Sequence, residues 1–117
     1  MFDINDGAIR ISKGDTASFD VTATGYTFGE NDRALFTIKS GDGTIIFQNA
    51  YPMENGSFRV DFHNSDTDKL ATGAYSYDVR YVVNPVYDEE GKIVDGDVVS
   101  TPKSASTFTI LPVVGEI

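Results

Sequence analysis

Eighteen carboxylates, one histidine and no cysteine are the raw material for chemistry in this chain of 117 residues. The lack of a thiol removes cysteine nucleophiles, thiolate metal sites and redox pairs. Hydrolysis through a side-chain nucleophile needs that nucleophile, a base and an oxyanion site together. The single imidazole, His63, follows an alternating apolar segment, and no serine sits in a G-x-S-x-G elbow. His63 therefore reads as a solvated or turn-bonded residue. Paired carboxylates can cleave glycosidic bonds, but Asp42, Asp88 and Asp95 lie in turn-forming clusters, where Asp bonds its own backbone. Neither Gly41-Asp42-Gly43 nor Asp95-Gly96-Asp97 has the ligand spacing of a calcium loop. No catalytic residue, metal ligand or cofactor is expected, and the chain does not read as an enzyme.

Recognition is the remaining use for the acids. Asp88, Glu89, Glu90, Asp95 and Asp97 crowd one segment, and they are the expected partner-binding residues, facing a basic surface. Nine basic residues against 18 acidic ones leave a net charge of −9, which disfavours nucleic-acid and anionic-membrane partners. The start, Met1 to Asp6, lacks the basic residues and apolar run of a secretion signal, so synthesis and assembly in the cytoplasm are expected. No apolar run approaches the ~20 residues that span a bilayer.

The elements that position these residues are strands. Leu70 to Val83 carries a strict alternation: Tyr75, Tyr77, Val79, Tyr81 and Val83 share one face, and Ala74, Ser76, Asp78, Arg80 and Val82 the other. The lead-in through Leu70 and Gly73 to Tyr75 is similar to the tyrosine corner of immunoglobulin-like sandwiches. Gly73, Tyr75 and Tyr77 are accordingly structural candidates, with the Tyr75 hydroxyl expected to hydrogen-bond a nearby backbone group. Shorter alternations over Ile9–Ser12, Thr16–Ala23, Ala34–Lys39, Thr44–Gln48, Phe58–Phe62 and Thr107–Leu111 predict further strands. Tyr26 and Phe28 are placed in a loop over the sandwich edge. Asn64 to Ala71 has helical character, with Asn64 or Ser65 as cap and Leu70 delivered to the core.

Residues 84–102 break the alternation and predict a projecting hairpin. Val86 and Tyr87 lead out, Val98 and Val99 lead back, and Glu90-Gly91 and Asp95-Gly96 are both read as turns. Asn55-Gly56-Ser57 fits a glycosylation acceptor but reads as a turn. About seven strands with almost no helix give an all-β, immunoglobulin-like antiparallel sandwich over residues 1–112, with a tail at 113–117. Eight Phe and six Tyr supply a core that no disulfide reinforces.

Four segments together resemble the immunoglobulin-like domain at the N-terminus of phage baseplate upper proteins, and related small prophage proteins of Gram-positive bacteria. They are Ile9 to Phe19 with its Lys13-Gly14-Asp15-Thr16 turn, Ala34 to Lys39, Leu70 to Val79 with its Leu-x-x-Gly-x-Tyr pattern, and Ser106 to Ile110. The segment 84–102 is longer than the family's simple turn, and a free-standing relative or adaptor without a receptor-binding region is expected. The resemblance implies a non-enzymatic virion protein of the tail or baseplate. Its expected partners are other phage structural proteins or further copies of itself. The alternative reading is a bacterial cell-surface adhesion or carbohydrate-binding module.

Overall fold

Among the described residues, alternation of apolar and polar residues is realised as eight strands and one short helix. The computed structural model describes residues 2–5, 7–22, 28–54 and 56–113, with backbone alone over 99–105. Tyr26, Asn55 and residues 114–117, each given a role above, lie outside the described residues. In chain order the elements are β1 (Phe2–Asn5), β2 (Ala8–Ser12), β3 (Ala17–Thr22), β4 (Arg33–Lys39), β5 (Ile45–Pro52), β6 (Ser57–Phe62), α1 (Asn64–Asp68), β7 (Gly73–Tyr87) and β8 (Ile93–Leu111). Six strands form one sheet in the order β1-β2-β8-β7-β4-β5, and β3 pairs with β6 in a second layer. This is an all-β, immunoglobulin-like sandwich with an extra hairpin, as the alternation predicts.

Two features depart from the sequence reading. The first is β1, which no alternation announced because Phe2 and Ile4 repeat only once. Gly7, at φ 85°, turns the chain back into β2. Arg10 on β2 then donates to Asp3 on β1 across 2.8 Å. The second is that the large sheet is not wholly antiparallel, because β2 runs parallel to the end of β8, Ile9 opposite Phe108 and Ile11 opposite Ile110. Parallel neighbours need a long connection, and here almost the whole domain lies between them.

The core lies between the layers. Phe36, Ile38, Ile11, Val60 and Phe108 are fully buried. Phe36 sits edge-on to Phe62 at 5.9 Å and stacks with Tyr77 at 5.3 Å, while Phe62 packs on Phe108 at 5.4 Å. Rings of this size contribute roughly 1.5–3 kcal/mol each on burial, and such contacts add specificity of angle. The helix closes one end. Its N-cap is His63, one residue before the expected cap, because the Asp66 carboxylate reaches back to accept the His63 backbone N–H at 2.8 Å. Thr67 is buried and donates to the Asp15 carbonyl at 3.0 Å, and Leu70 enters the core as expected.

The tyrosine strand has two anchors. Tyr75 donates to the Ala71 carbonyl at 2.6 Å, which is the corner bond anticipated for it. Tyr77 reaches across to the carbonyl of Gly7, which also accepts from the Ser106 hydroxyl at 3.1 Å. The β1–β2 turn is thereby tied to β7 and β8. Gly73, at φ 137°, opens β7.

Candidate functional site

The acidic segment is an extension of two central strands, and its geometry follows from where their neighbours stop. β4 ends beside β7 with Arg33 opposite Val82, and β2 meets β8 only over Phe108–Leu111. β7 nevertheless runs on to Tyr87 and β8 starts at Ile93. Residues 83–97 therefore stand beyond the sheet as a two-stranded arm.

An elbow sets the arm off from the sheet. Val83 faces Asp97 and Val86 faces Asp95, so β7 spends one residue more than β8 between these pairs. Such a bulge bends its strand and increases the local twist. The extra length is Asn84-Pro85, with Asn84 at φ 51° and Pro85 having no N–H to offer the ladder. Gly96 lies opposite, at φ 153°. A Cβ there would stand 2.5 Å from Val82 Cγ1 and 3.3 Å from both Pro85 Cα and the Val83 carbonyl oxygen. Gly96 is thus a close-packing residue within β8, and the expected turn at Asp95-Gly96 is corrected. Val82, placed from the sequence on the face opposite the tyrosines, is 3% exposed and lies against Gly96.

The tip is the turn predicted at Glu90-Gly91. The Asp88 N–H donates to the Lys92 carbonyl at 2.8 Å and the Gly91 N–H to the Asp88 carbonyl at 3.1 Å. The Asp88 carboxylate accepts the N–H groups of Glu90 and Lys92, both at 2.9 Å. Asp95 accepts from the Gly96 N–H at 2.8 Å. Two of the five expected partner-binding acids therefore shape the arm with their own carboxylates. Asp88, Glu89 and Glu90 lie at the tip, whereas Asp95 and Asp97 lie along the shank. All five are exposed.

Apolar side chains share this surface. Val86, Tyr87, Val94 and Val98 are 52%, 43%, 61% and 48% exposed. Val86, Tyr87 and Val98 were expected as legs of a hairpin, whereas Val94 was given no role from the sequence. The signal available was that apolar residues continue past the last position where a core could receive them. Val94 is most exposed because Tyr87 pairs with Ile93 while Val86 pairs with Asp95, which makes Val94 the extra residue of a second bulge.

Two clefts border β5. One, of about 610 Å³, lies against Tyr51, Phe58, Asp20, Glu54, Arg59 and Asp61. Arg59 donates to Asp20 at 3.0 Å and holds that carboxyl below its usual range. Burial pushes the Tyr51 phenol up. The other, of about 440 Å³, separates Leu35, Ile45, Gln48 and Ala50 from the arm tip at Gly91–Ile93. Away from both, Asp42 is held down at about 2 by the Ser40 hydroxyl and the Thr44 backbone N–H, inside its own turn. Among the described residues, no group of three or more His, Cys, Asp or Glu side chains is arranged to hold a metal ion, and no helix is long and apolar enough to cross a membrane.

No family model and no curated protein matches this chain. A solved structure from Bacteroides vulgatus ATCC 8482, described as a "putative glycoside hydrolase", aligns with a TM-score of 0.50 at 13% identity. The match covers 90% of this chain and 16% of that one. The likeness is one of fold: this sandwich is similar to a small portion of a much longer protein.

Proposed function

We propose that the chain is a non-enzymatic structural module of a phage or prophage tail or baseplate, assembled in the bacterial cytoplasm and docked onto other virion proteins through the β7–β8 arm. The arm carries this reading: three half-exposed apolar side chains, Val86, Tyr87 and Val94, stand on a ribbon beyond the sheet, with Val98 at its base, among five carboxylates. A ribbon whose residues beyond Val83 add little to the core costs conformational entropy, which a bound partner offsets. The apolar residues supply affinity on burial, and the acids steer a basic rim toward them. The resemblance of the Lys13–Thr16, Leu70–Tyr75 and Ser106–Ile110 segments to baseplate domains supplies the class of assembly.

The test is incorporation into particles. Tail particles released by inducing the strain that carries the gene are purified and probed for the tagged chain. Wild type is expected to co-sediment with them, and a Val86→Ser/Val94→Ser variant with unchanged melting is expected to be left behind. Absence of the wild-type chain from the particles refutes the assignment. Equal incorporation of both proteins refutes the arm.

A second reading, a surface or carbohydrate-binding module, is favoured by the cleft beside Tyr51, where a phenol adjoins Asp20, Glu54 and Arg59. It predicts hits on a glycan array and a sugar-dependent rise in melting temperature, both abolished by Tyr51→Ala.

A further inference from the structure

An uncharged edge strand is unusual in a protein with a net charge of −9. Edge strands present unpaired N–H and C=O groups, and charges, proline, bulges or short length normally blunt them. β1, at the opposite edge of the large sheet, follows that rule with four residues and an Asp3–Arg10 ion pair. β3 and β6 carry Asp20, Arg59 and Asp61, and the arm carries its acids. β5 is the only one of the eight described strands with no charged residue, Ile-Ile-Phe-Gln-Asn-Ala-Tyr-Pro. Its register against β4 is regular from Phe47 to Pro52, the irregularity being confined to the Ile45 end. Among the described residues no strand pairs with its outer side, and open clefts flank it on both faces.

We infer that the β5 edge pairs antiparallel with β5 of a second copy about a two-fold axis at Asn49. The sequence around Asn49 is self-complementary in the way such a pairing requires. Directly opposed residues in an antiparallel pair share a face. An axis at Asn49 sets Phe47 against Tyr51, Gln48 against Ala50, and Asn49 against itself. Aromatic meets aromatic, and a long amide meets a small methyl. The Asn49 amide, exposed and both donor and acceptor, meets its own image. Charge favours a second copy at this edge above any other. Two chains of charge −9 repel, and the other open edges carry carboxylates on the strand itself, whereas the β5 strand carries none. The product is a continuous twelve-stranded sheet closed by a two-fold axis, so it does not propagate.

The test uses the full chain in sedimentation equilibrium up to about 100 µM, since assembly follows mass action. The expected mass is twice the 12.7 kDa of one chain. Asn49→Asp and Asn49→Lys each place like charges directly opposite across the axis and are expected to raise the dissociation constant roughly tenfold. An equimolar mixture of the two variants is expected to restore a dimer at least as tight as wild type. Unchanged circular dichroism and melting of the monomeric variants establish that folding is intact. A wild type that stays monomeric at the highest concentration overturns the inference. So does a dimer indifferent to both substitutions, which would place the contact on the arm or elsewhere.

Discussion

Replacing Gly96 with alanine tests whether the arm is held by its elbow. The added methyl would sit 2.5 Å from Val82 Cγ1, well inside the ordinary carbon–carbon separation of about 3.5–4.0 Å. Val82 cannot yield easily, since it is buried and a β-branched side chain has one strongly preferred rotamer. The other two neighbours, Pro85 Cα and the Val83 carbonyl oxygen, are backbone. Overpacking of this kind costs about 1–3 kcal/mol, and a non-glycine residue at such a φ adds about 1–3 kcal/mol. Together these come to about 2–6 kcal/mol, and because one relaxation of the arm relieves both the contact and the backbone strain, about 2–4 kcal/mol is taken for the arm. The cost falls on a ribbon that can open without the core, so global stability should drop by less than that sum. At 1.36 kcal/mol per decade, opening of the arm rises roughly 30- to 900-fold. Amide hydrogen exchange reads this directly. The Asp88 and Gly91 amides, bonded across the tip, should exchange faster by that factor, while amides of central β4 and β7 keep their protection. Unchanged tip exchange would refute the elbow, and equal acceleration throughout would show that the arm and core unfold as one unit.

Further predictions concern the tyrosines. The Tyr81 hydroxyl is buried with no hydrogen-bond partner among the described residues, whereas that of Tyr77 bonds the Gly7 carbonyl. Tyr81→Phe should therefore leave stability unchanged or raise it by up to about 1 kcal/mol, and Tyr77→Phe should cost about 1 kcal/mol. Paired urea melts decide between them. Burial raises the phenol pKa of Tyr51, Tyr77 and Tyr81. The folded state then holds protons that the unfolded chain releases above about pH 10. The stability these groups contribute is complete below that pH and falls as pH rises through the folded values. Absorbance of phenolate near 295 nm should lag in native protein and appear with unfolding, an order that free titration of all six tyrosines would contradict.

The sequence by itself determined the fold class and the tyrosine corner. Period-two alternation is a local property: when Tyr77, Val79 and Tyr81 share a face, only a half-buried strand satisfies them, wherever the strand lies in the sheet. The Tyr75 bond to Ala71 spans four residues, so it too was within reach of local reasoning. The presence of an irregular acidic hairpin after Val83 was equally legible, because its carboxylates and glycines interrupt the pattern. What only the tertiary structure decided is how far each strand outruns its neighbours. The lengths of β2 and β4 beside β8 and β7 convert that hairpin into an arm whose tip faces β5 across a cleft, and Gly96 becomes a packing residue only because the Asn84-Pro85 bulge comes to lie against it. Strand order likewise places the uncharged β5 at an edge. In the middle of the sheet the same backbone would be paired on both sides and would have no group to offer a partner.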